Sequence, residues 1–264
     1  MPERKSGWSL VKRGLYWILI WTLLFILCFS LINLYTSWST KEISNKAVEE
    51  LETKVVKDNQ YLEPDWESLK KTNPEIIGWI YIPGTSINYP VVQKQNDNIY
   101  YLTHNAMLWE DELGAVFMNG YAKGDFSEMN TVIYGHSVIG GGMLTELKDF
   151  TSEEFFEKHP YYYLLTPSQN YKVMVYTFAR TTSDSVYYTT NADSSTLQDM
   201  ASKANFSRSL TELKWKGFSN PEVSQKSFVT LSTCDMSYGM DTNHRYVLTG
   251  MLKNCNKKKI KIEN

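Results

Sequence analysis

The chain has 264 residues, 27 basic against 29 acidic, and a formal charge of -2. Hydrophobic residues make up 42% and charged residues 21%, a balance that excludes wholesale disorder, and the near-neutral charge excludes a broad basic nucleic-acid-binding field. Three cysteines cannot build a disulfide framework, and no Cys/His spacing suits zinc.

Residues 15–35, LYWILIWTLLFILCFSLINLY, carry no charge. A helix of that length covers the roughly 30 Å hydrocarbon core of a bilayer. Arg4, Lys5, Lys12 and Arg13 precede it against the single Glu3. Positive flanks stay in the cytoplasm, so the expectation is a cytoplasmic tail at 1–14, an anchor at 15–35 and an extracellular remainder. The competing reading is a cleavable signal peptide. Its apolar region normally spans only about 7–15 residues and ends at small residues, whereas Ser37-Trp38-Ser39 is a poor cleavage site. Beyond residue 35 the chain holds 23 basic and 28 acidic residues, as an extracellular domain would.

Residues 36–72 read as a stalk and N-terminal helices. A weak apolar stripe runs through Ile43, Ala47, Leu51 and Val55, and Asp65 can cap a short helix that Pro74 ends. Strands are then predicted at 76–82 and 87–92 around Pro83-Gly84, at 114–118 and at 131–134. Two more, 161–166 and 171–180, flank the turn Pro167-Ser168-Gln169-Asn170. An insertion at 181–227 opens with a Ser/Thr/Tyr-rich loop and carries helical spacing at Leu197, Met200, Ala201 and Ala204. Strands at 228–233 and 246–252 complete about eight. The fold class is therefore mainly β, a closed or nearly closed barrel over 73–254. The basic tail at 255–264 reads as a solvated end.

Three residues stand out at strand ends. Cys234 closes FVTLSTC, His136 follows NTVIYG, and Arg245 starts a strand eleven residues after the cysteine. Singly, each has a plainer reading: a small buried hydrophobe, a backbone-bonded histidine and a surface arginine. Together they supply a thiol nucleophile, an acid/base near neutral pH, and a fixed cation for an oxyanion.

TLSTC at 230–234, the following Arg245 and VIYGH at 132–136 resemble the catalytic signatures of sortases. NPEIIGWIYIPGTSINYPVV at 73–92, LGAVFMNG at 113–120 and the helix-bearing insertion resemble class B sortases. The resemblance implies a closed eight-stranded sortase barrel, with Cys234 as nucleophile, His136 as acid/base and Arg245 as oxyanion or substrate stabiliser. It further implies substrate-groove roles for Leu102, Ser183, Tyr187, Tyr188 and Ser232. Implied partners are proteins bearing an NPxTN/G-like sorting signal, cleaved after Thr through an acyl-thioester, and a peptidoglycan amine as acceptor in a Gram-positive-type envelope. Such chemistry requires no cofactor, and no metal site is visible. The alternatives are a pilin-polymerising sortase with a lysine acceptor, and a non-catalytic, membrane-tethered peptide-binding barrel.

Overall fold

The computed structural model describes residues 7–57, 60–209, 227–240, 242–255 and 257–262. The chain divides into two compact units, 1–43 and 44–264. Helix α1, Gly7–Glu52, begins in the first. Its apolar stretch leaves Phe25 and its neighbours exposed to the surroundings, and it is long and apolar enough to cross a membrane. An apolar surface of that size is stable only in lipid or against a partner.

The second unit takes up the last turns of α1. Ala47 and Leu51 are buried together with Val55, Leu62 and Leu69, which matches three positions of the predicted stripe. Two short strands follow, β1 (Val56–Lys57) and β2 (Tyr61–Leu62). Helix α2, Trp66–Thr72, starts where the Asp65 carboxylate accepts from the Ser68 amide at 3.1 Å, and it ends at Asn73 before Pro74.

The strands β3 (Ile76–Tyr81), β4 (Asn88–Val92), β5 (Val116–Met118), β6 (Asn130–Tyr134), β7 (Tyr161–Leu165) and β8 (Asn170–Thr182) come next in the chain. Helix α3 (Glu153–Lys158) precedes β7. Helix α4 (Ser194–Lys203) and the short β9 (Phe206–Ser207) follow β8, and then come β10 (Phe228–Cys234) and β11 (His244–Cys255). The hydrogen-bonded order is β11-β10-β6-β5-β4-β3-β7-β8, and β8 pairs back with β11, so eight strands close into a barrel while β9 extends the rim. Closure removes the exposed edges that an open sheet would present. Ile80, Val116, Ile133, Leu164, Val175 and Leu231 are among the side chains that fill the interior.

All eight predicted barrel strands are present, with β8 and β11 longer than expected because they pair with each other over twelve residue pairs. Helix α4 is the helix expected in the insertion; the part at 210–226 lies outside the described residues. The C-terminal tail departs from expectation. β12 (Ile260–Lys261) pairs with β2, and Ile260 is buried against Leu62 rather than solvated, because the tail carries apolar residues between its lysines.

Asn130 ties the insertion to the barrel. Its Nδ2 donates to the carbonyls of Tyr187 (2.9 Å) and Thr189 (3.1 Å), and its Oδ1 accepts from Thr230 Oγ1 at 2.8 Å; the bonds to Tyr187 and Thr230 are buried. Asn130→Ala leaves the buried Tyr187 carbonyl without this donor and Thr230 Oγ1 with only Thr249 Oγ1, and should destabilise the protein by about 3 kcal/mol. Scanning calorimetry should then show a melting temperature lower by roughly 6–12 °C. A change within 2 °C would mean that water or relaxation replaces the amide.

Candidate active site

β10 is the central strand of the site. It pairs in parallel with β6 and antiparallel with β11. Ser232 lies opposite Tyr134 in the parallel ladder, and the Gly135 amide continues that ladder by donating to Ser232 O at 3.1 Å. Cys234 and His136 each follow their paired residue by two, so both project from the same face at neighbouring strand ends. On the other side Cys234 is the direct partner of Arg245. Antiparallel partners hold their Cα atoms about 4.5–5.5 Å apart. The three side chains therefore line up across the ends of β6, β10 and β11.

The face they share is the outer one. Val229, Leu231 and Leu248 fill the barrel, whereas Val247 packs with Leu197 and Met200 of α4. A cleft of about 220 Å³ opens there, lined by Leu102, Tyr134, His136, Ser232, Cys234 and Arg245, with Asn98, Phe117, Gly135 and Thr233 completing the wall. Cys234 is a free thiol, partly exposed.

Each reactive group has a support. His136 Nε2 lies 3.1 Å from Leu102 O. A carbonyl only accepts, so this contact puts a proton on Nε2 and leaves Nδ1 as the nitrogen for proton exchange. Gly135 has a steric reason to be glycine: a Cβ there would meet Leu144 Cγ at 2.7 Å, and the Leu144 amide donates to His136 O. Arg245 Nη1 donates to Thr242 O (2.6 Å) and His244 O (2.9 Å), which fixes one edge of its planar head.

The wall beside Cys234 is a hydroxyl pair. Tyr188 Oη and Ser232 Oγ lie 2.8 Å apart, and the Tyr188 ring stacks in parallel with Tyr134 at 6.3 Å. Burial pushes the Tyr188 hydroxyl up to about 12, although the Ser232 hydrogen bond and the Arg245 charge work the other way. It stays protonated at neutral pH and serves as a hydrogen-bonding group rather than a base.

The structure brings Cys234, His136, Arg245, Leu102 and Ser232 to one cleft, with Tyr188 bonded to its wall. It does not bring Ser183 or Tyr187 there. Ser183 is exposed just beyond the end of β8, its amide bonds to Asn243 O, and it is not among the residues that line the cleft. Tyr187 is 1% exposed and donates to Met200 O beneath α4, so it is a core residue that seats the insertion, not a groove residue. The two adjacent tyrosines sit in one turn of 3-10 helix, which points successive side chains in different directions. His244 stacks on Tyr238 at 3.7 Å and is not among the cleft residues. Asn98 and Phe117 join the wall in addition to the expected groove residues. Tyr134 and Gly135 were visible inside VIYGH, whereas Asn98 sits in a loop with no periodic signal.

A family model described as the sortase domain matches residues 80–253. Sortase B of Listeria monocytogenes is 31% identical over 210 residues, covering 78% of this chain and 81% of that protein. Sortase B of Staphylococcus aureus is 30% identical over 200 residues, covering 75% and 78%. The structure of a Staphylococcus aureus sortase B-substrate complex superposes with a TM-score of 0.68 at 27% identity, covering 82% of this chain and 99% of that one. With a matching domain that takes in most of the barrel, two such relatives and the closed barrel itself, the chain belongs to the sortase family of transpeptidases, in its class B.

Proposed function

We propose that the protein is a membrane-anchored cysteine transpeptidase that cleaves an NPxTN/G-like sorting signal after Thr and transfers the acyl part to a peptidoglycan amine. The observation that carries this reading is the row of His136, Cys234 and Arg245 across three neighbouring strand ends at one cleft. The solved sortase B-substrate complex, whose fold this chain shares, supports a peptide in the equivalent cleft.

The chemistry follows from the groups present. The Cys234 sulfur, as thiolate, attacks the carbonyl of the signal's Thr. The negative charge that develops on the carbonyl oxygen is stabilised by the free edge of the Arg245 guanidinium, whose other edge the loop carbonyls hold. His136 gives a proton to the leaving amine, and the C–N bond breaks to leave an acyl-thioester. The acceptor amine then attacks that thioester, His136 takes its proton, and the thiolate departs. Leu102, Ser232 and Tyr188 form the wall against which the signal lies. Ser183 and Tyr187 have no place in this step.

Steady-state cleavage of a quenched NPxTN-type peptide checks the assignment. Cys234→Ala should abolish turnover. His136→Ala should lower it by about 10²–10⁴-fold, because the leaving amine cannot depart unprotonated. Arg245→Lys keeps the charge but loses the planar fork, and should cost about 10²–10³-fold. All three should melt like the parent protein. An active Cys234→Ala variant ends the cysteine mechanism, and a near-normal Arg245→Lys variant reduces that residue to a general positive charge.

The acceptor is identified by mass spectrometry of the products formed with sorting peptides and a mixture of amines. The expected product carries a cross-bridge-type amine after the Thr. A product joined to a protein lysine side chain would assign the enzyme to the pilin-polymerising kind instead.

The orientation is read from the basic flank before residue 15. Protease added to intact protoplasts should digest the catalytic unit and spare the N-terminal tail. Release of a soluble, N-terminally processed protein would make 15–35 a signal peptide.

A further inference from the structure

Cys234 and Asp235 are neighbours in the chain, yet they serve opposite faces of the sheet. Asp235 is fully buried at the barrel's rim. Its Oδ2 accepts from Arg180 Nε (2.9 Å) and Nη2 (2.8 Å), and its Oδ1 accepts from Ser237 Oγ (2.6 Å) and the Ser237 amide (3.1 Å). Tyr246 bonds to the same carboxylate and is the cross-strand partner of Arg180. The Arg180 head lies between the Tyr238 and Tyr246 rings, at 5.6 and 5.7 Å, and also donates to Ser237 Oγ at 2.9 Å. Tyr238 in turn stacks on His244. The ion pair thus gathers both ends of the loop between β10 and β11.

That loop holds Arg245. The carbonyls that fix its guanidinium belong to Thr242 and His244, and the His244 carbonyl also accepts the Asp235 amide at 2.9 Å. A shift of the Asp235 end therefore moves an acceptor of Arg245 directly. Burial alone pushes the Asp235 carboxyl up, but the hydrogen bonds from Ser237, Tyr246 and Arg180 outweigh it and hold it below the usual range, so it is charged throughout the working pH range.

We propose that Asp235 is a positioning residue: paired with Arg180 on the face opposite the nucleophile, it sets the β10–β11 loop so that Arg245 presents its free edge beside Cys234. This rests on the role given to Arg245 above. Neither Arg180 nor Asp235 lines the cleft.

Two readouts test it on the full chain in detergent micelles. The first is kcat against KM for the quenched peptide. Asp235→Asn and Arg180→Ala should lower kcat by roughly 10-fold or more, as small misplacements do, with KM within about twofold. Arg180→Lys, which keeps a cation opposite the carboxylate, should restore most of it. The second readout needs no turnover. The rate of alkylation at Cys234, resolved from Cys28 and Cys255 by peptide mass spectrometry, is compared for anionic iodoacetate and neutral iodoacetamide. A guanidinium beside the thiolate favours the anionic reagent. Arg245→Ala should lower that preference, and Asp235→Asn and Arg180→Ala should lower it to nearly the same value. Ser237→Ala, at an exposed position, gives a smaller shift in the same direction and replaces the harsher variants if they do not fold.

A preference for iodoacetate that stays at the parent value in folded Asp235 and Arg180 variants overturns the proposal. So does a loss of thermal stability with kcat per alkylatable Cys234 unchanged, which would make the pair merely structural. An Arg245→Ala variant with the parent preference overturns it as well. Absence of peptide cleavage by the parent protein would count against the proposed substrate, while the alkylation comparison still decides the positioning role.

Discussion

The parallel register between β6 and β10 is the constraint on which the site depends. With Ser232 opposite Tyr134, the strand ends place His136 beside Cys234, and the antiparallel register with β11 places Arg245 on the other side. A slip of one residue in β10 would turn Cys234 toward the barrel interior and bring Asp235 to the cleft. Side-chain hydrogen bonds between Thr230, Asn130 and Thr249 run across all three strands, with Thr230 and Thr249 four pairs below Cys234 and Arg245, and oppose such a slip. A parallel pair also needs a long crossover, and this one leaves room between β6 and β10 for α3, β7, β8 and α4.

The insertion serves that register rather than merely decorating the barrel. Tyr187 is planted under α4, and Asn130 grips the backbone on either side of Tyr188. Tyr188 is therefore delivered to Ser232 by a segment that is fixed from below. The cleft wall is built from neutral hydroxyls and aromatic faces, which suits a peptide backbone better than a charged ligand.

Much of this was legible in the chain itself. Alternating apolar residues marked the strands, and chemistry-bearing residues at their ends marked the site, because a strand end is where regular pairing gives way to an open cleft. TLSTC and VIYGH hold the proposed catalytic positions together with Tyr134 and Gly135, all at one cleft. What stayed hidden was set by tertiary contact. Tyr187 and Tyr188 look alike in sequence, and only packing under α4 separates core from cleft. Asn98 joins the site from a loop with no local mark of function, and Phe117 from LGAVFMNG, whose pattern marks the strand but not the side chain that faces the cleft. The bond between Arg180 and Asp235 spans 55 positions, and the seat of Ile260 on β2 joins parts of the chain nearly 200 positions apart. No periodicity announces either.

The topology has a kinetic corollary. β10 finds its parallel neighbour about a hundred residues upstream, and β8 finds its closing partner β11 only after the whole insertion has passed. Contacts so distant in the chain form slowly, since loop closure must precede any gain from pairing. A polypeptide that emerges N-terminus first has β6 and its histidine long before it has the thiol strand or the arginine strand. The three reactive groups meet only at the last closure of the barrel. Until that closure the cysteine stands apart from the groups that surround it in the cleft, and the cleft itself is a property of the finished fold.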